Sequence, residues 1–555
     1  MKLRQRNIEQ LQAEPLDTLI IGGGINGAVS AASLTASGAR VGLIDARDFA
    51  GFTSQHSSNL VWGGIKYMES YEFRLVNDLC KSRNELLRSF PSTVREIRFL
   101  TTIQKGFRYH PRFMILGTWL YWLFGRGKTR IPRLLSPAGI KNMEPLINTE
   151  NSSGGIEYSD AYLHDNDARF VFNFVRSAMH QGCLAANYVK LTDAQRDESG
   201  WICSAEDQVS NQCFKIRCKT LVNAAGGFVD ALNEQIGIDT EHRHAFSKGI
   251  HLIVPRISRE KRVLAFFADD GRLFFAIPMA NRTCIGTTDT LVDSPITSVS
   301  DQDRDFVLSN INRRLDLARP LTRDDIIAER CGIRPLAMNR GQTAGGDYLQ
   351  LSRKHVIESS QDARHISIFG GKLTDCLNVG QEVRDQVARL GVRLQPLPAR
   401  WYGEPDEQVR STYFRQAHQL GIDQVLASDT GEMLSERLWR RYAEHALPML
   451  DLIEHDPAMA DTLIEGSGIR RCEIDYLVEH EMIVKLEDYL RRRSKLEQLV
   501  SLDQLRQSSG LLKACERLFG EDARARYEEY FASHDVTADS PASAAPEAPQ
   551  DRSQG

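Results

Sequence analysis

Residues 17–35 read DTLIIGGGINGAVSAASLT, and this stretch decides the fold of the chain. Its first five residues are mostly apolar and end at glycine, which predicts a parallel strand buried on both faces. Residues 28–37 are rich in Ala and Ser and predict a helix, and the apolar residues 41–44 predict a second strand. Together these elements predict a β-α-β unit of the Rossmann type, with a glycine-rich turn between its first strand and its helix.

The glycine-rich turn has the G-x-G-x-x-G spacing at Gly22, Gly24 and Gly27. The first glycine permits a tight turn, the second lets the backbone approach a pyrophosphate, and the third lets the helix pack closely on the strand. The N-terminus of the helix adds amide donors and the positive end of its dipole. Asp45 follows the second strand and can accept hydrogen bonds from ribose hydroxyls. The turn therefore predicts a dinucleotide site; a glycine-rich turn without a ligand is the alternative.

Three later segments favour FAD over NAD as the dinucleotide. Residues 53–58 (TSQHSS) are polar and follow the second strand, where they can bond phosphate and ribitol oxygens. Residues 223–226 end a later strand, and residues 369–374 (FGGKLT) can offer amides to an isoalloxazine carbonyl. No Cys or His lies in a flavinylation context, so we expect non-covalent FAD. The candidate cofactor-binding residues are Gly22, Gly24, Asn26, Gly27, Asp45, Thr53, Ser54, Ser57, Ser58, Val189, Ala225, Gly226, Gly370, Gly371, Lys372, Leu373 and Thr374.

The composition argues against several other classes of protein. With a formal net charge of −4, the chain has no global basic field that would draw it to nucleic acid. Its ten cysteines include no C-x-x-C pair, which predicts no metal site, no disulfide framework and a reducing compartment. The first sixteen residues lack the apolar centre of a secretory signal. We therefore expect a cytoplasmic protein.

Residues 113–124 (FMILGTWLYWLF) form the most apolar run in the chain. Twelve residues are too few to cross a bilayer as a helix. The first interpretation is therefore a buried helix. The alternative is a surface that dips into the membrane interface, because such surfaces combine apolar and cationic groups. The basic neighbours that favour this alternative are Arg108, Arg112, Arg126, Lys128 and Arg130.

The whole chain is expected to be α/β, with a Rossmann-type FAD-binding domain, an antiparallel-sheet substrate domain and a helical C-terminal domain. Residues 251–290 alternate apolar runs with turns, as antiparallel sheets do, and strand signals end near residue 395. Further predicted elements are a helix over 168–181, strands over 201–205, 214–216 and 220–222, and long charged amphipathic segments over 474–500 and 510–531, which are typical of a helical domain. The predicted divisions are an N-terminal extension (1–16), a discontinuous FAD-binding domain (17–96, 166–240, 350–392), a substrate domain (97–165, 241–349), a helical domain (393–533) and a disordered tail (534–555).

Taken together, these segments resemble the FAD-dependent glycerol-3-phosphate dehydrogenases, respiratory enzymes of the glycine-oxidase-like flavoprotein superfamily. The resemblance covers most of the chain, and GIRPL with FGGKLT and GTTDT is its most specific part. The matching segments are IGGGINGA (21–28), GGIKYMESYEFRLV (63–76), EYSDAYLHDNDARFV (157–171), KGIHLIVP (248–255), IGTTDT (285–290), CGIRPL (331–336), FGGKLT (369–374) and EHEMIVKLEDYLRRRSKL (479–496).

The resemblance implies oxidation of the C2 hydroxyl of sn-glycerol 3-phosphate, with hydride transfer to flavin N5 and electrons passed to a membrane quinone. Arg334 can grip a phosphate bidentately, unless it forms a structural ion pair. His251 is a candidate base, with a satisfied structural histidine as the alternative. Lys372 can face flavin or substrate, or be solvated. Lys66 and Tyr67 complete the candidate substrate site. The resemblance also implies a peripheral position on the cytoplasmic face of the inner membrane; oligomeric state is left open.

Four positions depart from the family pattern. Asn59, Trp62 and Lys66 stand where the family commonly has lysine, histidine and arginine, and Asp375 replaces a threonine. Lys66 keeps the charge without the fork geometry of arginine. The alternatives are therefore a dehydrogenase or oxidase of the same superfamily with another hydroxy or amino substrate, oxygen as the acceptor, or a flavin-binding scaffold without turnover.

Overall fold

The computed structural model describes residues 2–268, 271–342, 354–423 and 432–539. The strands are β1 (Leu16–Ile21), β2 (Val41–Ile44), β3 (Leu60–Val61), β4 (Val94–Gln104), β5 (Arg133–Leu135), β6 (Ser152–Leu163), β7 (Leu184–Ala186), β8 (Val189–Asp197), β9 (Gly200–Asp207), β10 (Cys213–Asn223), β11 (His242–Pro255), β12 (Arg262–Phe267), β13 (Leu273–Met279), β14 (Arg282–Gly286), β15 (Thr290–Val292), β16 (Ala328–Asn339), β17 (Val356–Ser360) and β18 (His365–Phe369). The helices are α1 (Lys2–Ala13), α2 (Ile25–Ala36), α3 (Phe73–Ser89), α4 (Pro111–Phe124), α5 (Pro137–Met143), α6 (Asp167–His180), α7 (Val229–Gln235), α8 (Asp301–Arg314), α9 (Cys376–Arg389), α10 (Glu407–Leu420), α11 (Leu434–Tyr442), α12 (Leu447–His455), α13 (Arg471–His480), α14 (Leu496–Leu499), α15 (Leu502–Gln507), α16 (Ser509–Phe519) and α17 (Ala523–Asp539).

The first sheet confirms the predicted Rossmann-type unit. Its path is β17-β18-β10-β1-β2-β7, and the pairs from β18 to β7 are parallel. β17 is antiparallel to β18, β9 extends the sheet antiparallel to β10, and β8 is antiparallel to β9. Ile21 pairs with both Ile44 and Asn223, so the carboxyl ends of three parallel strands meet at one edge. Ligands bind at this edge in open α/β sheets.

Several predicted boundaries shift within this sheet. The helix predicted over 28–37 begins at Ile25, directly after Gly24 in extended conformation. The strands predicted over 214–216 and 220–222 belong to one continuous strand, β10. Residues 216–219 alternate between buried and exposed, so the strand periodicity continues between the two predicted pieces. The predicted helix over 168–181 is α6, and the strand over 201–205 is β9.

The second sheet is largely antiparallel, as predicted, with one parallel pair between β4 and β12. Its longest pairing joins β11 and β16, where His251 lies opposite Arg330 and Ser247 opposite Arg334. Side chains alternate between the two faces of a strand. Ile250 and Leu252 accordingly share a core with α8, which leaves His251 on the other face.

The C-terminal region is helical, and the described part of residues 395–539 contains no strand. The amphipathic segment 474–500 forms several helical pieces: α13 ends at His480, and a separate π-helical turn spans Asp488–Arg493. The segment 510–531 forms two, because Gly520 has a positive φ of 60° and separates α16 from α17. α17 continues to Asp539, into the segment predicted as a tail; residues 540–555 lie outside the described residues.

The apolar run at 113–124 lies in α4, and its interpretation as a buried helix is wrong. Phe113, Leu116 and Leu123 are 64%, 65% and 60% exposed. The opposite face carries Tyr121, whose buried hydroxyl donates to Asp160 at 2.5 Å. Within the described residues, no helix combines the length and hydropathy needed to span a membrane.

Candidate active site

The glycine turn after β1 requires glycine at two positions. Gly22 has a φ of +103°, and a Cβ there would lie 2.5 Å from the carbonyl oxygen of Ala224. A Cβ at Gly27 would lie 1.8 Å from the carbonyl oxygen of Gly22. The turn and the end of β10 are therefore in direct backbone contact, beside the N-terminus of α2.

Asp45 lies under the same turn. Its carboxylate accepts hydrogen bonds from the amide of Gly23 at 2.6 Å and from the amide of Arg47 at 2.8 Å. Burial outweighs these bonds and raises the pKa of Asp45 to about 7. The amide of Val189 donates to the Asp45 carbonyl at 2.7 Å, which places the predicted residue Val189 at this end of the site.

Asn26 connects the glycine turn to the FGGKLT segment. Its amide nitrogen donates to the carbonyl of Gly370 at 3.0 Å, and a Cβ at Gly371 would lie 3.3 Å from the same side chain. Its buried Oδ1 accepts no hydrogen bond from the described residues. Ala225 and Gly226 follow β10, next to the turn. Three segments that are distant in sequence thus meet at one cradle.

The polar run after β2 reaches this cradle from the side. The Ser54 hydroxyl accepts a hydrogen bond from the amide of Ile25 at 3.0 Å, at the first residue of α2. The amide and hydroxyl of Ser57 both donate to Asp167, at 2.9 and 2.8 Å. Ser58 is half-buried beside them. The cofactor contacts assigned to these serines stay predictions.

Two further predicted residues use their hydroxyls within the protein. Thr53 donates to the carbonyl of Ile333 at 2.7 Å, and Thr374 donates to the carbonyl of Trp62 at 3.3 Å. Leu373 packs against the core of the first sheet. These contacts join the FAD-binding segments to the second sheet, where the predicted substrate residues lie.

His251 and Arg334 lie on one face of the second sheet, and neighbouring glycines make room for both. A Cβ at Gly249 would lie 2.2 Å from the Arg334 guanidinium, and a Cβ at Gly286 would lie 2.7 Å from the His251 ring. Arg334 donates to the Thr287 hydroxyl at 2.8 Å. A carboxylate oxygen of Asp289 lies 3.8 Å from the guanidinium, at the outer limit of an ion pair.

His251 is 2% exposed, and neither of its ring nitrogens is hydrogen-bonded to any described residue. Burial, followed by the charges of Arg330 and Arg334, lowers the pKa of His251 well below its ordinary value. The imidazole is therefore neutral at pH 7 and able to accept a proton. The alternative of a satisfied structural histidine has no supporting contact among these residues.

Lys372 of the FGGKLT segment lies against the aromatic ring of Tyr67, in the GGIKY segment. The Lys372 ammonium is 3.7 Å from the centroid of the Tyr67 ring, a cation–π contact. Trp62 is also near this ring, with the two centroids 6.0 Å apart. Lys66 precedes Tyr67 on the same short turn and is exposed.

Asp375, one of the departures, points away from this group. It accepts hydrogen bonds from His355 at 2.9 Å, from Asn378 at 2.6 Å and from Ser82 at 3.1 Å. Burial opposes a charge on His355, but hydrogen bonds to Asp375 and Glu382 raise its pKa to about 9. The negative charge at 375 is thus compensated by a histidinium.

Sequence reasoning does not single out two residues next to His251. Arg330 lies directly across from it on β16, and a Cβ at Gly332 would lie 2.9 Å from the backbone oxygen of His56. Arg330 could have been found from the sequence, because Arg330, Gly332 and Arg334 alternate at the period of a strand and share a face. His56 approaches from a separate segment, which no local pattern reveals.

Comparison with known proteins defines the class. A sequence profile for FAD-dependent oxidoreductases matches residues 17–358. The glycerol-3-phosphate dehydrogenase of Pseudomonas tolaasii is 30% identical over 502 residues, covering 87% of this chain and 92% of its own. The aerobic glycerol-3-phosphate dehydrogenase of Escherichia coli is 28% identical, covering 88% and 96%. The glycerol-3-phosphate dehydrogenase of Bacillus halodurans, solved with FAD, superimposes with a TM-score of 0.70 at 26% identity, covering 96% and 97%.

The chain therefore belongs to the family of FAD-dependent oxidoreductases. Within that family, the glycerol-3-phosphate dehydrogenases named above are similar to it over 87–96% of this chain. The cradle fits FAD on its own geometry, because the glycines at 22 and 27 keep the turn free of side chains and Asn26 presents a buried oxygen without a protein donor among the described residues.

Proposed function

We propose that this chain oxidises the C2 hydroxyl of sn-glycerol 3-phosphate to dihydroxyacetone phosphate, using non-covalent FAD and passing the electrons to a membrane quinone. The observation that carries the proposal is that His251, a neutral buried histidine, and the guanidinium of Arg334 lie on one face of the β11–β16 pair. A base and a phosphate-binding cation are the two groups that this oxidation requires of the protein.

Each residue has a defined role in the proposed reaction. Arg334 and Lys372 bind the phosphate, and a pair of cations holds the substrate in one orientation. His251 accepts the proton of the C2 hydroxyl on a ring nitrogen. When bound, FAD supplies the hydride acceptor at N5. Gly22, Gly27 and the α2 N-terminus would hold the pyrophosphate, Asp45 the ribose, and residues 370–374 the flavin end.

The predicted division of the chain into an FAD-binding part, a substrate part and a helical part belongs to this proposal. The FAD-binding part comprises 17–96, 166–240 and 350–392, the substrate part 97–165 and 241–349, and the helical part 393–533. Apart from Leu16 of β1, the strands of the first sheet lie in the first set, and β5, β6 and β11–β16 of the second sheet lie in the second. The other two strands of the second sheet depart from this division, because β3 lies in the first set and β4 crosses the boundary at residue 96. Residues 343–353, within two of these ranges, lie outside the described residues.

The decisive experiment is an anaerobic titration of the purified protein, followed by its visible spectrum. We expect a flavin spectrum that sn-glycerol 3-phosphate bleaches at micromolar to millimolar concentrations, while glycerol, glycine and lactate leave it unchanged. Bleaching by one of these other donors alone would contradict the proposed substrate. A flavin that no donor bleaches would contradict an enzymatic function.

The electron acceptor is tested separately. We expect rapid reoxidation of the reduced enzyme by a short-chain quinone and slow reaction with oxygen. Stoichiometric hydrogen peroxide from air-saturated buffer without quinone would instead identify an oxidase.

A peripheral membrane contact through α4 is also proposed. Five of its apolar side chains are at least 38% exposed, which is unusual for a helix with no partner surface. The exposed cations Arg112, Arg126 and Lys128 flank the helix and suit an anionic lipid surface. The exposed apolar residues are Phe113, Leu116, Trp119, Leu120 and Leu123.

Cosedimentation with anionic lipid vesicles tests this contact. We expect the protein to pellet with vesicles at low salt and Leu116→Glu/Leu123→Glu to remain in the supernatant, because each charge must enter the acyl boundary. Leu512→Glu, at a half-buried position of the helical region, is the matched control and should still pellet. Equal binding by both variants would contradict a role for α4.

A further inference from the structure

The π-helical turn Asp488–Arg493 of the C-terminal region carries buried arginines into the FAD-binding part. Arg491 donates to the carbonyl of Gln55 at 2.7 Å and lies 3.3 Å from the Nδ1 atom of His56. Arg492 and Arg493 both bond Asp48, at 2.7 and 2.8 Å. All three arginines are buried. The turn thereby fixes the segment between β2 and β3 at both of its ends.

A second contact from the same region reaches the second sheet. Gln498 is fully buried, and its side-chain oxygen accepts a hydrogen bond from the Arg330 guanidinium. Arg330 also donates to the carbonyl of Ser57 at 2.5 Å and to the side chain of Asn59 at 2.6 Å. The guanidinium is thus held by acceptors from two separate parts of the chain.

Both contacts end at residues next to His251. Arg330 is its cross-strand partner, and His56 packs against Gly332, two residues further along the same face. Arg491 and Arg330 are the charges that, after burial, lower the pKa of His56 most. The C-terminal region therefore reaches the surroundings of the candidate base through His56 and Arg330.

We propose that the C-terminal helical region forms part of the catalytic centre, with Arg491 and Gln498 as positioning residues that hold His56 and Arg330 against His251. This inference rests on the proposed function, because it assigns these residues to the reaction in which His251 is the base. In this reaction the C-terminal helical region sets the protonation of His251, because it fixes the position of the buried Arg330 guanidinium. It also packs on the FAD-binding and substrate parts of the chain.

The direction of the electrostatic effect follows from the groups that face His251. Arg330 and Arg334 face it from β16, and His56 faces it from the segment after β2. His56 in turn faces Arg491 and Arg492. The charged groups in this set are cations, so they favour the neutral imidazole. The buried carboxylate of Asp167 lies 3.9 Å from the Arg330 guanidinium and offsets part of its charge. A negative charge added beside Arg330 should make His251 easier to protonate.

The test uses Gln498→Glu in the full-length, FAD-loaded enzyme. Glutamate keeps an acceptor for Arg330 and adds one negative charge, and Gln507→Glu adds the same charge at an exposed position of α15. The acid limb of kcat/KM for sn-glycerol 3-phosphate reports the group that must be unprotonated in the free enzyme. We expect Gln498→Glu to move this limb upward by about one pH unit, a tenfold gain in proton affinity, and Gln507→Glu to move it by less than about 0.2 units.

Two further measurements separate this role from simple packing. Gln498→Met removes the acceptor without adding charge, so we expect a lower kcat with no upward shift of the acid limb. The dissociation constant of dihydroxyacetone phosphate, read from flavin absorbance in the oxidised enzyme, should show the same pH shift in Gln498→Glu without turnover. If Gln498→Glu does not fold, Asn59→Asp places the same charge on the other side of Arg330, and the same shift is expected.

The outcomes are distinct. If the acid limb of kcat/KM moves no further in Gln498→Glu than in Gln507→Glu, the inference is overturned. It is also overturned if Gln498→Met shifts the acid limb upward by as much as Gln498→Glu does. A wild-type enzyme that fails to oxidise sn-glycerol 3-phosphate overturns the proposed function instead. An active wild-type enzyme whose acid limb is insensitive to both acidic variants leaves the function standing and refutes the inference.

Discussion

The cofactor end and the substrate end of the site are built from different features of the chain. At the cofactor end, backbone lies on backbone: Gly22 meets Ala224, and Gly27 meets Gly22, at distances that no side chain could share. At the substrate end, charged side chains determine the chemistry, and Gly249 merely leaves space for the guanidinium of Arg334. A methyl group added to these glycines would clash at either end, but only the proposed substrate end also depends on where charged side chains lie.

The largest expected effect is at the cofactor end. In Gly27→Ala a Cβ would lie 1.8 Å from the carbonyl oxygen of Gly22, so α2 cannot keep its place against β1. We expect the purified variant to lack the flavin spectrum and all activity. Gly341→Ala adds the same methyl group where no atom lies within 4 Å, and it should retain both. A Gly27→Ala protein with full FAD content would show that the turn is not the cofactor site.

The next effect is at the substrate end. His251→Gln should retain FAD and lose about 10²- to 10⁴-fold in kcat, the usual contribution of a general base. Because the pKa of His251 lies below its ordinary value of 6.5, the wild-type acid limb should also fall below that pH. Flavin absorbance and steady-state pH profiles measure the two properties. A variant with more than a third of wild-type kcat would remove His251 from the reaction.

A smaller effect is expected from a change that keeps the charge. Arg334→Lys preserves one positive charge but loses the planar fork and the bond to Thr287. We expect kcat/KM to fall by about 10- to 100-fold, mainly through KM, because the loss is of phosphate binding. Arg340→Lys, exposed and directly after the same strand, is the control. Glycerol, used as a poor substrate, lacks the phosphate. If Arg334→Lys lowered kcat/KM for glycerol by the same factor, Arg334 would not be the residue that recognises the phosphate.

The same contrast explains what the sequence could predict. The strand, glycine turn and helix at 17–36 are local, and their spacing alone places β1, the turn and α2 within a few residues of where they lie. The contact of Asn26 with Gly370 joins segments more than 340 positions apart. The residues of both segments predict that they bind the cofactor, but no local pattern predicts their contact with each other. Arg330 follows from strand alternation once the strand is known, whereas the approach of His56 and Arg491 depends on tertiary packing.

For α4 the sequence pattern is local, yet it does not decide whether the helix is buried. Its apolar sequence reads equally well as a core helix or as an interfacial one, because periodicity cannot say whether a partner surface exists. The departures at 59 and 375 illustrate the same point for charges. Read in sequence they suggest a weakened anion site, yet Asn59 accepts from Arg330 and Asp375 pairs with His355.

The smallest expected effect on catalysis therefore comes from Asp375→Asn. Since the carboxylate faces His355 and not Lys372, we expect KM for sn-glycerol 3-phosphate to change less than about threefold, as for a residue outside the substrate contacts. Its cost should appear in stability. The folded-state pKa of His355 is about 9, above the ordinary 6.5, so the ion pair stabilises the fold fully below pH 6.5 and loses this contribution as the pH rises through about 9. Asp375→Asn should lower the free energy of unfolding by about 1–3 kcal/mol at pH 6 and by much less at pH 9.5. Thermal unfolding at the two pH values measures the difference, with Asp385→Asn as an exposed control on α9. A large change in KM with no pH-dependent loss of stability would place Asp375 in the substrate site and extend the charge-controlled end into α9.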